Sequence, residues 1–117
     1  MTELQGFGKI HDFNEYDIDE YVLPTGGNYR IGITVGRDRI LEYVGRTTDL
    51  RARLKNHRND LSWCDCFQIL YEPDEVHRYL KECHDYHYFG GNKKLENKIH
   101  PAKPPEGLDL ICPFCRQ

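Results

Sequence analysis

The stretch from Glu42 to His57, EYVGRTTDLRARLKNH, constrains the chain more than any other. Tyr43 and Val44 have the character of a strand end, Gly45 lets the backbone turn, and Thr47-Thr48-Asp49 supplies side chains of the kind that open helices. Beyond them Leu50 and Leu54 repeat at helical spacing, and Arg53 and His57 repeat at the same spacing on a neighbouring stripe. A strand must therefore feed directly into a helix. Such a junction gathers backbone N–H groups, the positive end of a helix dipole and the nearby Arg46, which together favour a bound anion.

The residues before this stretch supply a partner strand. Tyr29, Ile31, Ile33 and Val35 alternate with Arg30, Gly32 and Thr34, the period of a half-buried strand. Gly36-Arg37-Asp38 makes the turn, and Arg39 to Val44 returns with Leu41 and Tyr43 on one parity. A hairpin is expected, with Tyr29 and Tyr43 symmetric about Gly36. Two phenols on one side of it are either core packing or polar tips placed in a site.

After the first helix ends at Asn59-Asp60, Cys66 to Tyr71 offers a third strand. Pro73-Asp74 opens a second helix, and Gly90-Gly91 stops it. The inward stripe of that helix reads Val76, Tyr79, Leu80, Cys83, Tyr86 and His87, with Glu82 beside it. Such a carboxylate either holds a hard cation or pairs with an exposed lysine.

Length and charge narrow the class. At 117 residues, 38% apolar and 12% aromatic, the chain makes one domain with a modest core, and no apolar run approaches membrane-spanning length. The first residues lack the pattern of a secretory signal, so a cytoplasmic protein with no membrane partner is expected. The net charge of −3 hides a segregation. Glu3, Asp12, Glu15, Asp17, Asp19 and Glu20 crowd the start, whereas Arg30, Arg37, Arg39, Arg46, Arg51, Arg53, Lys55 and Arg58 dominate residues 30–58. A polyanion reads local charge, so the basic middle keeps nucleic acid open as a partner; the bland alternative is a solvated helix face.

With those residues in view, the chain resembles the GIY-YIG nuclease superfamily. Tyr43-Val44-Gly45 is similar to the second half of the family motif, Arg53 falls on the family's helix arginine, and His57 on the position four further along. Gly27-Asn28-Tyr29, preceded by Leu23-Pro24, corresponds to the first half; Gly32-Ile33-Thr34 is a competing alignment that loses the tyrosine. Glu82 matches the family's metal-binding glutamate, with Glu75 as runner-up, and Asn97 is similar to its later asparagine.

The resemblance implies an α+β fold, a small three-stranded antiparallel sheet flanked by helices. It implies a domain over residues 23–99, with an irregular arm at 1–22 packing Phe7, Phe13 and Tyr21, and an extension at 100–117. It implies a divalent-metal-dependent endonuclease hydrolysing DNA phosphodiester bonds. Tyr29, Tyr43, Arg53, His57 and Glu82 form the catalytic set, and Glu82 binds Mg²⁺ or Mn²⁺. Arg46, Arg51, Lys55, Arg58 and Asn97 are the substrate-binding set. The alternative functions are a catalytically silent nucleic-acid-binding module and an interaction adaptor on the same fold.

Five cysteines, Cys64, Cys66, Cys83, Cys112 and Cys115, fit metal binding or free thiols better than a disulfide framework. Cys112-Pro113-Phe114-Cys115 is half of a zinc site and needs two more nitrogen or sulfur ligands. Cys83 and His87, at i and i+4 on the second helix, are the expected pair and would staple the tail; His100, or Cys64 with Cys66, are the alternatives. A buried Cys83 thiol beside free tail cysteines is the plain reading.

Overall fold

A computed structural model describes residues 8–104 and 110–115. The elements follow in the order β1 (His11–Asp12), α1 (Glu15–Tyr21), β2 (Gly27–Val35), β3 (Asp38–Thr47), α2 (Leu50–Asp60), β4 (Cys66–Tyr71) and α3 (Glu75–Tyr88), with a 3₁₀ turn at Gly91–Lys93. The sheet is antiparallel, as expected, but has four strands rather than three, in the order β1-β4-β2-β3. The fourth is the short β1, whose His11 and Asp12 pair with Phe67 and Cys66. No helix among the described residues is long and apolar enough to cross a membrane.

The segment read as an irregular arm carries β1 and α1. Asn14 caps α1 by accepting from the Asp17 N–H, and Phe13, Ile18 and Val22 are buried. Tyr21 stays 48% exposed, and Phe7 lies outside the described residues.

Central strand β2 is covered on both faces. One face sends Tyr29 and Ile31 into a core shared with Ile18, Leu50, Leu54 and Phe67. The other sends Asn28 and Arg30 toward α3, where Asn28 donates to the Arg78 carbonyl and Arg30 forms a buried fork with Asp85. Arg30, counted above in the basic middle, is therefore an internal tie. Tyr29 pairs with Gly45 rather than lying symmetric with Tyr43, because the turn sets Val35 opposite Asp38 and a bulge between Ile31 and Gly32 shifts the register once more. The same extra residue reverses parity along β3. Leu41 joins Val44, Cys66 and Tyr86 on the α3 side, while Tyr43 stays with Tyr29.

Asp49 and Asp74 cap α2 and α3 through side-chain bonds to the Ala52 and His77 N–H groups. Gly90 follows α3 at φ 103°, a conformation that side chains resist, so the helix stops there. Along α3 the buried residues are Arg78, Tyr79, Cys83, Asp85 and Tyr86; Val76, expected inside, is 38% exposed.

Candidate active site

The corner between the hairpin and α2 holds three rings. The Tyr29 oxygen lies 2.7 Å from His57 Nε2, the Tyr43 and His57 ring centroids are 4.7 Å apart, and the two phenol rings lie nearly parallel at 6.3 Å. Gly45 makes room for this: a Cβ there would come within 2.3 Å of the Tyr29 ring and oxygen. The family glycine is thus explained by a close approach of side chain to backbone.

Arg53 lies close enough to lower the Tyr29 phenol electrostatically against the effect of burial. His57 Nδ1 is buried without a hydrogen-bond partner and faces Asp60 Oδ2 at 3.9 Å. Burial, then the Tyr43 phenol, pushes the Tyr29 phenol far above its ordinary value. Burial and then Glu82 push Tyr43 up, and burial followed by Arg53 holds His57 down and neutral. The chemistry available is a proton passed between a phenol and a neutral imidazole.

Glu82 faces this group from α3. Burial raises its carboxyl, while Arg46 holds it down and Arg53 adds to that. A cleft of about 390 Å³ opens here, lined by Arg46, Thr48, Arg53, Glu75, Arg78 and Glu82 among others. Arg46 donates to the Glu82 carboxylate and to the Ala102 carbonyl and stacks on the Tyr79 ring. Arg78, four residues before Glu82 on α3, is buried at the edge of the cleft and donates to the Glu72 carbonyl at 2.7 Å.

Of the residues expected to be catalytic, Tyr29, Tyr43 and His57 pack together and Arg53 and Glu82 line the cleft, whereas several expected substrate ligands lie elsewhere. Arg51 donates to the Val22 carbonyl at 2.8 Å, Lys55 pairs with Asp19 at 2.5 Å, and Arg58 lies over the Phe13 ring at 5.1 Å. All three are engaged by the α1 region, expected from the sequence to be an irregular arm packed on the domain. Asn97 is buried and brackets Val44, accepting from its N–H at 2.9 Å and donating to its carbonyl at 2.7 Å. It completes the outer edge of β3 and is not part of the cleft lining. Among the expected ligands, Arg46 alone lines the cleft.

The tail forms a second cluster. One ligand atom each from His87, His100, Cys112 and Cys115 lies within 4.8 Å of the others. His100 takes the place expected of Cys83, whose thiol is buried against Tyr79 and Cys112 and pushed up to about 12, by burial first. Neither Cys64 nor Cys66 belongs to the cluster. His100 Nδ1 bonds the Pro101 carbonyl at 3.0 Å, leaving Nε2 directed at Cys115 Sγ, 3.4 Å away. Burial raises the Cys112 thiol, but hydrogen bonds from the Phe114 amide, His100, the Cys115 amide and Cys83 bring it down to about 6. The arrangement could hold a metal ion.

The class of the domain, a nuclease-type one, follows from the family whose model the chain matches. The chain belongs to the GIY-YIG family: residues 29–107 match its GIY-YIG catalytic domain. Neither the curated proteins nor the solved structures gave a match to the chain.

Proposed function

We propose that the protein is a divalent-metal-dependent endonuclease that hydrolyses DNA phosphodiester bonds. The observation that carries this reading is the presence of Arg53 and Glu82 in the lining of one cationic cleft, with the Tyr29–His57 pair beside Arg53, which shares α2 with His57. The donor set fits a hard cation: one carboxylate suffices for Mg²⁺ or Mn²⁺, which keep several waters, and Glu75 lines the same cleft. Glu82 would hold the ion, which when bound supplies Lewis-acid polarisation of the scissile phosphate.

The chain's own residues supply the rest. Tyr29 is sealed from solvent, whereas Tyr43 is half-buried, so Tyr43 meets and orients the attacking water. Tyr29 and His57 behind it accept and move the proton. Arg53, and Arg46 once it turns to the phosphate, balance charge on the reacting group. A preorganised donor of that kind is worth about 2.7–4 kcal/mol in analogous sites.

For the tail we propose a structural Zn²⁺ held by His87, His100, Cys112 and Cys115. Four nitrogen and sulfur donors suit a closed tetrahedral site, and His87 Nε2 is buried without a hydrogen-bond partner among the protein atoms. The domain reading becomes residues 23–99 as the catalytic unit, braced by the N-terminal segment and by a zinc-stapled extension.

Plasmid cleavage with Mg²⁺ or Mn²⁺ tests the function. Nicking is expected to vanish with chelator and to fall at least about 100-fold in Glu82→Ala, the scale of losing one preorganised electrostatic group. Wild-type cleavage rates in Glu82→Ala would overturn the assignment. Binding without cleavage in every divalent metal would favour the silent module instead.

A further inference from the structure

The carboxylate expected to receive a divalent ion already holds a cation. Arg46 leaves the end of β3, donates through one terminal nitrogen to Glu82 and through the other to the Ala102 carbonyl, and lays its guanidinium 5.2 Å from the Tyr79 ring centroid. The paired side chains are only 17% and 12% exposed, so salt screens the contact weakly. A divalent ion taking the Glu82 oxygen that Arg46 holds displaces one of these three attachments. The other two, the Ala102 carbonyl and the Tyr79 face, do not involve the carboxylate and remain.

Displacement has an electrostatic consequence. The cleft also holds Arg53 and Arg78, so an ion arriving at Glu82 alone adds two positive charges to a wall that already carries three guanidinium groups. Arg46 would then be a partly buried cation that has lost its paired carboxylate, with Glu75 the one other acid among the described residues of the cleft lining facing three guanidinium groups, which is costly. A phosphate in the same cleft restores the balance and accepts a charge-assisted hydrogen bond from the terminal nitrogen that Glu82 releases.

We propose that Arg46 is an exchange residue: it neutralises Glu82 in the resting protein and transfers to a nucleic-acid phosphate when a divalent cation takes the carboxylate. Metal and nucleic acid therefore bind cooperatively through this one side chain. The proposal rests on the reading of Glu82 as the metal ligand. Arg46 is a positioning residue in the resting state and a substrate contact in the loaded one. Coupling of this kind is reciprocal, so each ligand tightens the other by the same factor.

Mn²⁺ binding to the full chain, followed by electron paramagnetic resonance at pH 8, tests it. The signal assigned to the cleft is the part lost in Glu82→Gln. A nuclease-resistant phosphorothioate duplex is expected to tighten that binding in wild type by roughly 5- to 150-fold, the usual range for coupled sites. In Arg46→Met, Mn²⁺ alone should bind more tightly than in wild type, and the duplex should add little. The wild-type measurement requires no variant, so misfolding of Arg46→Met leaves the test intact. Wild-type Mn²⁺ affinity unmoved by saturating duplex, or a folded Arg46→Met that binds Mn²⁺ no more tightly, overturns the exchange while leaving Glu82 as ligand. Full Mn²⁺ binding in Glu82→Gln removes the metal assignment itself, and the exchange with it.

Discussion

Tyr29 and His57 meet at 2.7 Å, one from the central strand and one from the helix that follows the hairpin, and both are buried. The contact joins two elements that the chain separates by 28 residues. It exists because Gly45, directly opposite Tyr29 across the ladder, has no side chain to hold the ring away. The strand register, the glycine and the helix phase therefore fix one relationship.

Gly45→Ala puts that dependence to the test. The new methyl would fall 2.3 Å from the Tyr29 ring, and the ring sits at the centre of a packed core with nowhere to go. Overpacking of this kind costs about 1–3 kcal/mol. Urea denaturation should show that loss, together with reduced cleavage. An unchanged midpoint would mean that the ring does not lie over the glycine.

Tyr29→Phe and Tyr43→Phe should separate stability from activity. Removing the Tyr29 oxygen strips His57 Nε2 of its partner inside the core and costs about 1–3 kcal/mol. Tyr43 has a half-buried ring, so Tyr43→Phe should unfold at nearly the wild-type urea concentration yet lose cleavage. If both variants show wild-type rates, neither phenol takes part in the reaction.

The pH dependence carries the signature of His57. Burial, and then Arg53, hold the imidazole below its ordinary 6.5, so the unfolded chain takes up this proton before the folded one does. The contribution to stability is therefore present above 6.5 and is lost as pH falls toward the folded value. Wild type should unfold at lower urea at pH 5.5 than at 7.5, and His57→Gln should show a shallower change. The acid limb of the cleavage rate should lie below 6.5. The two phenols, raised above 10.0 mainly by burial, should leave the rate flat from there through neutral pH.

The parts of this structure legible from sequence are those that local periodicity decides. The strand of alternating Tyr29, Ile31 and Ile33, the Asp49-capped helix with Arg53 and His57 on one stripe, β4, and the α3 boundaries at Asp74 and Gly90 all follow from short-range pattern. What failed was set by tertiary contact or by a single inserted residue. A two-residue strand and a seven-residue helix offer too few turns to show a period, so β1 and α1 passed as irregular chain. Missing α1 meant missing why Arg51, Lys55 and Arg58 have local partners. The β3 bulge moved Leu41 to the other face, and no propensity marks it. The exchange of Cys83 for His100 in the tail cluster depends on how residues 98–104 return past α3, which spacing along α3 alone could not reveal.

Those α1 contacts predict a division among the cations. In salt titrations of DNA binding, Arg53→Ala should reduce the slope of log affinity against log salt by about 0.9 if it meets one phosphate. Lys55→Ala should leave the slope unchanged, because Lys55 is paired with Asp19 away from the cleft. A larger effect from Lys55 than from Arg53 would place the nucleic acid on α2's other face.

Zinc content separates the two tail readings most directly. With His87, His100, Cys112 and Cys115 as the ligands, protein purified without added zinc should carry about one equivalent of zinc, the content of a single four-ligand site. His100→Ser removes a ligand whose ring is already oriented by the Pro101 carbonyl, so it should lose the metal and lower the melting temperature to that of chelator-treated wild type. Cys83→Ser should keep the metal, because Cys83 lies beside Cys112 in the apolar contact with Tyr79 and not among the four. It should still lose some stability, since a hydroxyl replaces a buried thiol there. Zinc lost in Cys83→Ser but kept in His100→Ser would restore the i, i+4 pair on α3 as the ligands. Zinc absent from wild type would leave the four side chains as a hydrogen-bonded cluster, with the tail held by Cys112 packing alone.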